Sequence, residues 1–257
     1  MESSQNTGGA ATPGRLKGRV ALVTGAAQGI GQALAVRLAQ DGADVVIAAH
    51  KQPPDDTEAA GVESLVHHVD VSLEGDVADL ATAVTDRFGG VDILVNNAGA
   101  YPMQGFLEMT YEQWRETFAV NIDSVFHMCR AFVPGMVERR FGRVINVSST
   151  SFMEGMHNYT HYNAAKAAVV GFTRSLALEV GPAEVTANVL APGLVRTPTT
   201  DSGPQAEGMF EGFLAEQALK RTETPADLAG AVSWLASEDA SFVTGQTIVV
   251  DGGWHFN

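Results

Sequence analysis

The chain has 257 residues, 45% of them hydrophobic and 18% charged, enough for a substantial core within a single domain. Its 16 basic and 30 acidic residues leave a formal charge of −14. That disfavours nucleic acid, which is held by clustered Lys and Arg, and equally an anionic membrane surface or an acidic carrier protein as obligate partner. The one cysteine, Cys129, rules out an internal disulfide framework and, lying in an apolar helical stretch without an activating pattern, reads as an inert thiol.

Residues 1–15 have neither a basic start nor an apolar stretch, so they read as a flexible tail rather than a secretory signal. No apolar run is long enough to span a bilayer, and the cytoplasm is the default expectation. One domain is expected over residues 16–257, with no internal repeat or linker. Residues 19–24 form a short apolar strand, and Gly25-Ala26-Ala27-Gln28-Gly29-Ile30-Gly31 follows at once, leading into an amphipathic run over residues 32–41. Strand, glycine turn and helix start are the context of a dinucleotide fingerprint. Gly25 permits the tight turn, Gly29 lets backbone approach the pyrophosphate, and Gly31 allows close packing of helix on strand. The helix N-terminus then offers free N–H groups to phosphate.

A second strand over residues 44–49 points at the adenosine ribose, where an acid would mark NAD. Ala49-His50-Lys51 stand there instead, which leaves room for a 2′-phosphate paired with His50 or Lys51. After Pro53-Pro54 barely ten residues precede a third strand at 65–69, so the crossover helix is expected to be short or partly lost. A helix is predicted over residues 73–88 and a strand over 91–95, followed by Asn96-Asn97-Ala98-Gly99, which is also ordinary turn chemistry. Residues 114–136 form a long apolar helical region whose embedded Asn121 needs a hydrogen-bond partner.

A strand at 144–147 brings Ser149 to its carboxyl end, where ligands bind in open α/β sheets. Tyr162 and Lys166 follow at helical spacing, on one face and one turn apart. An ammonium near a phenol favours the phenolate, and a phenol tuned that way exchanges protons near neutral pH. Alone the Tyr/Lys pair is a weak signal; its company gives it weight. A sixth strand at 186–190 leads into Ala191-Pro192-Gly193-Leu194-Val195-Arg196-Thr197. Residues 198–217 are polar, then carry Met209, Phe210 and Phe213, a pattern shared by a mobile lid over substrate and by a packed surface helix. Thr224-Pro225-Ala226-Asp227 opens a helix running to about residue 236, and residues 246–250 form a last strand. Seven alternations of strand and helix predict a doubly wound α/β fold, a parallel sheet covered on both faces.

The spacing T-G-x-x-x-G-x-G, together with Ser149, Tyr162 and Lys166, resembles the short-chain dehydrogenases/reductases, and the resemblance covers residues 16–254. It implies the strand order 3-2-1-4-5-6 with a seventh strand at the edge, hydride transfer with NAD(P), and a homotetramer. It implies that Tyr162 is the acid/base, that Ser149 polarises the substrate oxygen, and that Lys166 lowers the tyrosine pKa and binds ribose. Asn121 would complete the tetrad by distorting its helix and holding a water that leads to the lysine. Asp70 and Val71 would contact the adenine edge, with an N-cap-like role for Asp70 as the alternative. Asn97, Ala98 and Gly99 would lie along the cofactor, and Pro192, Gly193, Val195 and Thr197 would hold the nicotinamide, unless Thr197 is a plain helix cap.

Gln28 stands where many NADP-preferring relatives carry Arg or Lys, so the cofactor signal is mixed and leans slightly to NADP. Within the family, Tyr101-Pro102, Glu112-Gln113-Trp114, residues 131–135 and Thr160-His161-Tyr162 look like the bacterial 1-phenylethanol dehydrogenases. Tyr101, Phe152, Met153, Met156, Leu194, Met209, Phe210 and Phe213 are the expected pocket residues, suited to an apolar or aryl ketone. Reduction of carrier-bound 3-oxoacyl groups, with Arg139-Arg140 as a local basic patch, and a cofactor-sensing protein without catalysis are the alternatives. No metal site is expected.

Overall fold

The computed structural model describes residues 14–50, 64–202 and 206–256. Lys51, the expected short crossover after it and most of the N-terminal tail fall outside these residues. Seven parallel strands form one sheet in the order β3-β2-β1-β4-β5-β6-β7. They are β1 Val20–Thr24, β2 Asp44–Ala49, β3 Ser64–His68, β4 Ile93–Asn96, β5 Gly142–Val147, β6 Val185–Pro192 and β7 Thr247–Val250. The predicted order and count are those of the structure.

The central strands read as continuous apolar runs because both faces of the sheet are covered. Successive side chains alternate between faces. Ala21 and Val23 pack with Val45, Ile47, Ile93 and Ile145 under α1 (Gly29–Gln40) and α8 (Pro225–Leu235), which contribute Leu34, Leu38, Val232 and Leu235. Leu22, Val46, Leu94 and Val144 face the opposite way. They meet Leu80 and Val84 of α2 (Glu74–Phe88) together with Met128, Phe132 and Met136 farther along the chain, and Val169 and Ala177 beyond them.

The long helical region begins earlier than its apolar pattern suggests, at α3 (Tyr111–Phe118), because Thr110 and Gln113 close a capping box. It is then interrupted by one π turn, Ala119–Asp123, before α4 (Ser124–Arg139). The interruption has a visible cause: Asn121 Nδ2 donates to Thr117 O at 2.9 Å and to Ala100 O at 2.8 Å, drawing the side chain into the helix ladder. After β5, a short helix α5 (Ser151–Glu154) precedes α6 (Thr160–Val180). Helix α7 (Ala206–Glu216) lies within the expected lid segment. No helix among the described residues is long and apolar enough to cross a membrane.

Candidate active site

All of the chemistry gathers at the carboxyl ends of β1, β4, β5 and β6. There an open cavity of about 1400 Å³ runs from Ile30 past Asn97, Gly99 and Tyr162 to Trp254. The glycine turn is built as expected. Gly25 and Gly29 adopt φ of 66° and 60°, in the left-handed region that suits glycine, and a Cβ on Gly31 would lie 2.5 Å from both Asn97 Nδ2 and Gly25 O. Asn97 is held in turn by the end of β1: its Nδ2 donates to Thr24 O at 2.9 Å, while the N–H groups of Asn97 and Ala98 both reach Thr24 Oγ at 2.9 Å.

Lys166 is 4% exposed and donates from Nζ to Val147 O at 3.0 Å, with the ammonium 5.7 Å from the Tyr162 ring centroid. Asn121 is fully buried, and its Oδ1 has no protein partner. A Cβ on Gly99 would sit 2.9 Å from that Oδ1 and 3.4 Å from Lys166 Nζ, so glycine is what lets the two side chains approach from either side. Asn121 Oδ1 is thus a buried acceptor on the Gly99 side of the site, with its hydrogen-bonding capacity unused by the protein.

Burial pushes the Tyr162 phenol up to about 12; a hydrogen bond with Ser149 opposes this, and nearby Tyr101 and Tyr159 add to it. Burial also pushes Lys166 down to about 8. The expected depression of the phenol by the lysine is opposed by burial, which takes Tyr162 out of the water that would solvate a phenolate. The protonated phenol at neutral pH is the form that gives a proton to a ketone oxygen.

Polar residues inside the core brace this arrangement; Asn96 belongs to the Asn-Asn-Ala-Gly motif, whereas Asn146, Thr173 and Ser148 lie outside the motifs. Asn96 Nδ2 donates to Asn146 Oδ1 at 2.8 Å, and Asn146 Nδ2 donates to Thr173 Oγ at 2.9 Å, joining β4, β5 and α6. Ser148 Oγ donates to Lys166 O at 2.8 Å. Asn146, a polar residue in an otherwise apolar strand, was the sequence signal for this network.

The expected nicotinamide segment lies across the cavity from Tyr162. Gly193 N donates to Val250 O and to Glu223 Oε2, each at 3.1 Å. Glu223 is 7% exposed, and burial pushes its carboxyl up to about 8. Thr197 caps its own turn, accepting from Thr200 N at 3.2 Å, so the capping alternative is what the chain alone displays. Val195 and Thr197 line the cavity nonetheless. Gln28 donates to Thr199 Oγ at 3.1 Å. At the adenosine end, Asp70 accepts from Ser72 N at 3.0 Å and Ser72 Oγ at 2.6 Å, a local turn, while the helix cap falls to Leu73, so Asp70 does not take the N-cap-like role offered as its alternative. His50 is exposed, with its ring 5.1 Å from that of His68. His50, Asp70 and Val71 all lie outside the main cavity.

Of the expected pocket residues, Tyr101, Met156, Leu194, Met209 and Phe213 line the cavity; Phe152, Met153 and Phe210 do not. Phe210 is 2% exposed and packed under the Arg196 guanidinium, 4.2 Å from its ring centroid, because α7 turns that face inward. On α5 the face toward the cavity carries Ser151 and Glu154, three residues apart, which directs Phe152 and Met153 elsewhere. Met103, His157, Tyr159, Glu216 and Trp254 complete the wall, and no motif announced them.

The residues present fit a nicotinamide dinucleotide: the glycine turn opens one end of a cavity larger than a small-molecule pocket needs, and the proton-transfer pair stands along it. Fold and site together define a dinucleotide-dependent oxidoreductase of the doubly wound class. The family model described as enoyl-(acyl carrier protein) reductase matches residues 25–255. The 3-oxoacyl-[acyl-carrier-protein] reductase FabG of Vibrio cholerae is 38% identical over 242 residues, 93% of this chain and 98% of that protein. The D-beta-hydroxybutyrate dehydrogenase of Rhizobium meliloti is 35% identical over 92% of this chain and 98% of its own length. A crystal structure from Burkholderia xenovorans assigned to the short-chain dehydrogenases/reductases superposes with a TM-score of 0.89 at 35% identity, covering 94% of this chain and 98% of that one. The chain belongs to the short-chain dehydrogenase/reductase family.

Proposed function

We propose that the protein interconverts a ketone and a secondary alcohol on a small, mostly apolar, aryl-bearing substrate, using NAD(P). The observation that carries this reading is the composition of the substrate end of the cavity. Tyr101, Met156, Tyr159, Met209, Phe213 and Trp254 stand around Tyr162, and among the described residues Lys166 is the only Lys or Arg in the lining. That lysine is buried, with only 4% of its surface exposed, so a substrate carboxylate or phosphate finds little cationic surface to replace its water. When bound, the dinucleotide supplies or accepts the hydride. Tyr162 gives its proton to the carbonyl oxygen in reduction and takes it back in oxidation. Ser149, whose hydroxyl favours the ionised phenol of Tyr162, orients that same oxygen. Lys166 and Asn121 flank Gly99, where a water between them would return the proton from solvent.

The dinucleotide would rest on Gly25, Gly29 and Gly31 and against Asn97, Gly99, Pro192, Gly193, Val195 and Thr197. With Ala49 and His50 at the end of β2 in place of an acid, NADP is accepted at least as well as NAD. A buried cysteine, pushed up to about 12, suits the cytoplasm. Phe126 on α4 and Leu178 on α6, 52% and 83% exposed, offer apolar surface for a homo-oligomer, and a tetramer is the family's usual answer.

Relatives that act on carrier-bound 3-oxoacyl groups favour a second reading, reduction of such a thioester. Against it stand the net charge of −14 and the position of Arg139 and Arg140. These are paired with Asp92 and Glu184 and lie outside the cavity lining. The deciding experiment measures kcat/KM for acetophenone, an acetoacetyl thioester, a keto acid and a ketose, each with NADPH and NADH. Acetophenone is expected to lead by at least about tenfold, equivalent to roughly 1.4 kcal/mol. A thioester, keto acid or sugar turned over faster than acetophenone would overturn the reading.

A further inference from the structure

After β7 the chain reverses through Gly252 and Gly253, at φ of 69° and 76°, and returns toward the cavity. The carboxylate of Asp251, 4% exposed, accepts from the N–H groups of Gly253, Trp254 and His255 at 2.9, 3.1 and 2.8 Å. Its Oδ2 also lies 2.9 Å from His255 Nδ1. The His255 side chain is 7% exposed, and its Nε2 lies 3.3 Å from Glu154 Oε1 on α5, within ion-pair range but off the line of a hydrogen bond. One residue earlier, Trp254 Nε1 donates to Glu216 Oε2 of α7 at 2.9 Å. The indole stands edge-on to Phe213, ring centroids 4.3 Å apart. The backbone adds to the same junction, since Leu219 N donates to Gly252 O at 2.8 Å and Ala218 N to Gly253 O at 3.2 Å.

The C-terminal turn therefore ties α5 to α7, and Trp254, Phe213, Glu216 and Glu154 all border the cavity. None of the proton-transfer residues needs these contacts. Resting on the reading of the cavity as a ketone site, we infer that this turn is a specificity element. Trp254 is the wall that limits how large a group fits beyond Tyr162, and His255 is the positioning residue that holds the wall between α5 and α7. A wide, rigid ring with only two side-chain torsions bounds a pocket at little entropic cost. Releasing it leaves the lid helix to be ordered at the moment substrate binds, and that cost appears in KM.

The test compares acetophenone with a naphthyl methyl ketone. In Trp254→Ala the naphthyl-to-phenyl ratio of kcat/KM should rise at least about tenfold, with cofactor affinity within about twofold of wild type. Trp254→Phe, which keeps a ring but loses the bond to Glu216, should give an intermediate ratio. His255→Ala and Glu154→Gln should each raise KM about five- to tenfold with kcat nearly unchanged, and the double variant should be no worse than either, because both break one link. In His255→Ala, trypsin should cut at Lys220 or Arg221 several-fold faster, a readout that needs no turnover. Equal losses on both ketones in the Trp254 variants, additive KM effects or unchanged tryptic cleavage would each overturn the inference. If the wild-type enzyme reduces no ketone with either cofactor, the reading above falls, and the tryptic comparison alone decides the fate of the clasp.

Discussion

The two ends of the dinucleotide groove are built differently. At the end that carries Tyr162, the residues behind the proposed proton donor are anchored in the core. Lys166 is bonded to Val147, Ser148 to the Lys166 carbonyl, Asn121 to Thr117 and Ala100, and the Asn96–Asn146–Thr173 chain crosses beneath them. At the adenosine end, β2 finishes on Ala49 and an exposed His50, and Asp70 is occupied with its own turn. Chemistry demands fixed geometry, and buried, hydrogen-bonded polar side chains supply it. Choice of cofactor needs only one or two side chains at an open edge, and such residues change without disturbing the core.

The largest effect should come from breaking the fixed end at its reacting group. Tyr162→Phe removes one hydroxyl, and kcat for ketone reduction should fall 10²–10⁴-fold while cofactor affinity, measured by fluorescence titration, stays nearly intact. A variant keeping more than about a tenth of wild-type kcat would remove Tyr162 from the acid/base role.

A support one step removed should cost less activity but more stability. Asn146→Ala leaves Asn96 and Thr173 without their shared partner, each buried, so unfolding free energy should drop by about 1–3 kcal/mol in a denaturant titration. Reduction should slow about tenfold as α6 loosens against β5. Unchanged stability would mean that the asparagine chain does not brace the site.

The open edge should respond in preference rather than in rate. Ala49→Asp places a carboxylate where the ribose 2′ position is read, so the NADPH-to-NADH ratio of kcat/KM should fall about ten- to a hundredfold with kcat for NADH little changed, while the 4% exposure of Ala49 means the variant should also lose some stability. Wild-type preference for NADH by more than about tenfold would contradict the NADP lean from the outset.

How much of this could be read from the chain follows the same division. The glycine turn, the strand end at Ser149 and the Tyr162–Lys166 pair are legible because each depends on local spacing within one element, whereas the sheet order and the part played by Asn121 came only with the family resemblance. The π turn at Asn121 was foreseen only as a distortion, since its form depends on the carbonyl of Ala100 reaching back from another segment. Spacing reveals that a lysine is near Tyr162 but not that burial of the phenol opposes its ionisation. Phe152, Met153 and Phe210 were misplaced for a related reason: apolar composition marks a segment, while the face a short helix turns toward a cavity is set by tertiary packing. Glu154, Glu216 and Trp254 converge from three separate elements, and no local pattern brings them together.

The most direct test of hydride transfer to an aryl ketone uses NADPH and NADH deuterated at nicotinamide C4. Incubation of the wild-type enzyme with acetophenone should yield 1-phenylethanol carrying deuterium at the carbinol carbon when the label is on the transferred face of the ring, as read by mass spectrometry. Absence of the alcohol with either cofactor, or alcohol free of deuterium whichever face is labelled, would contradict the account.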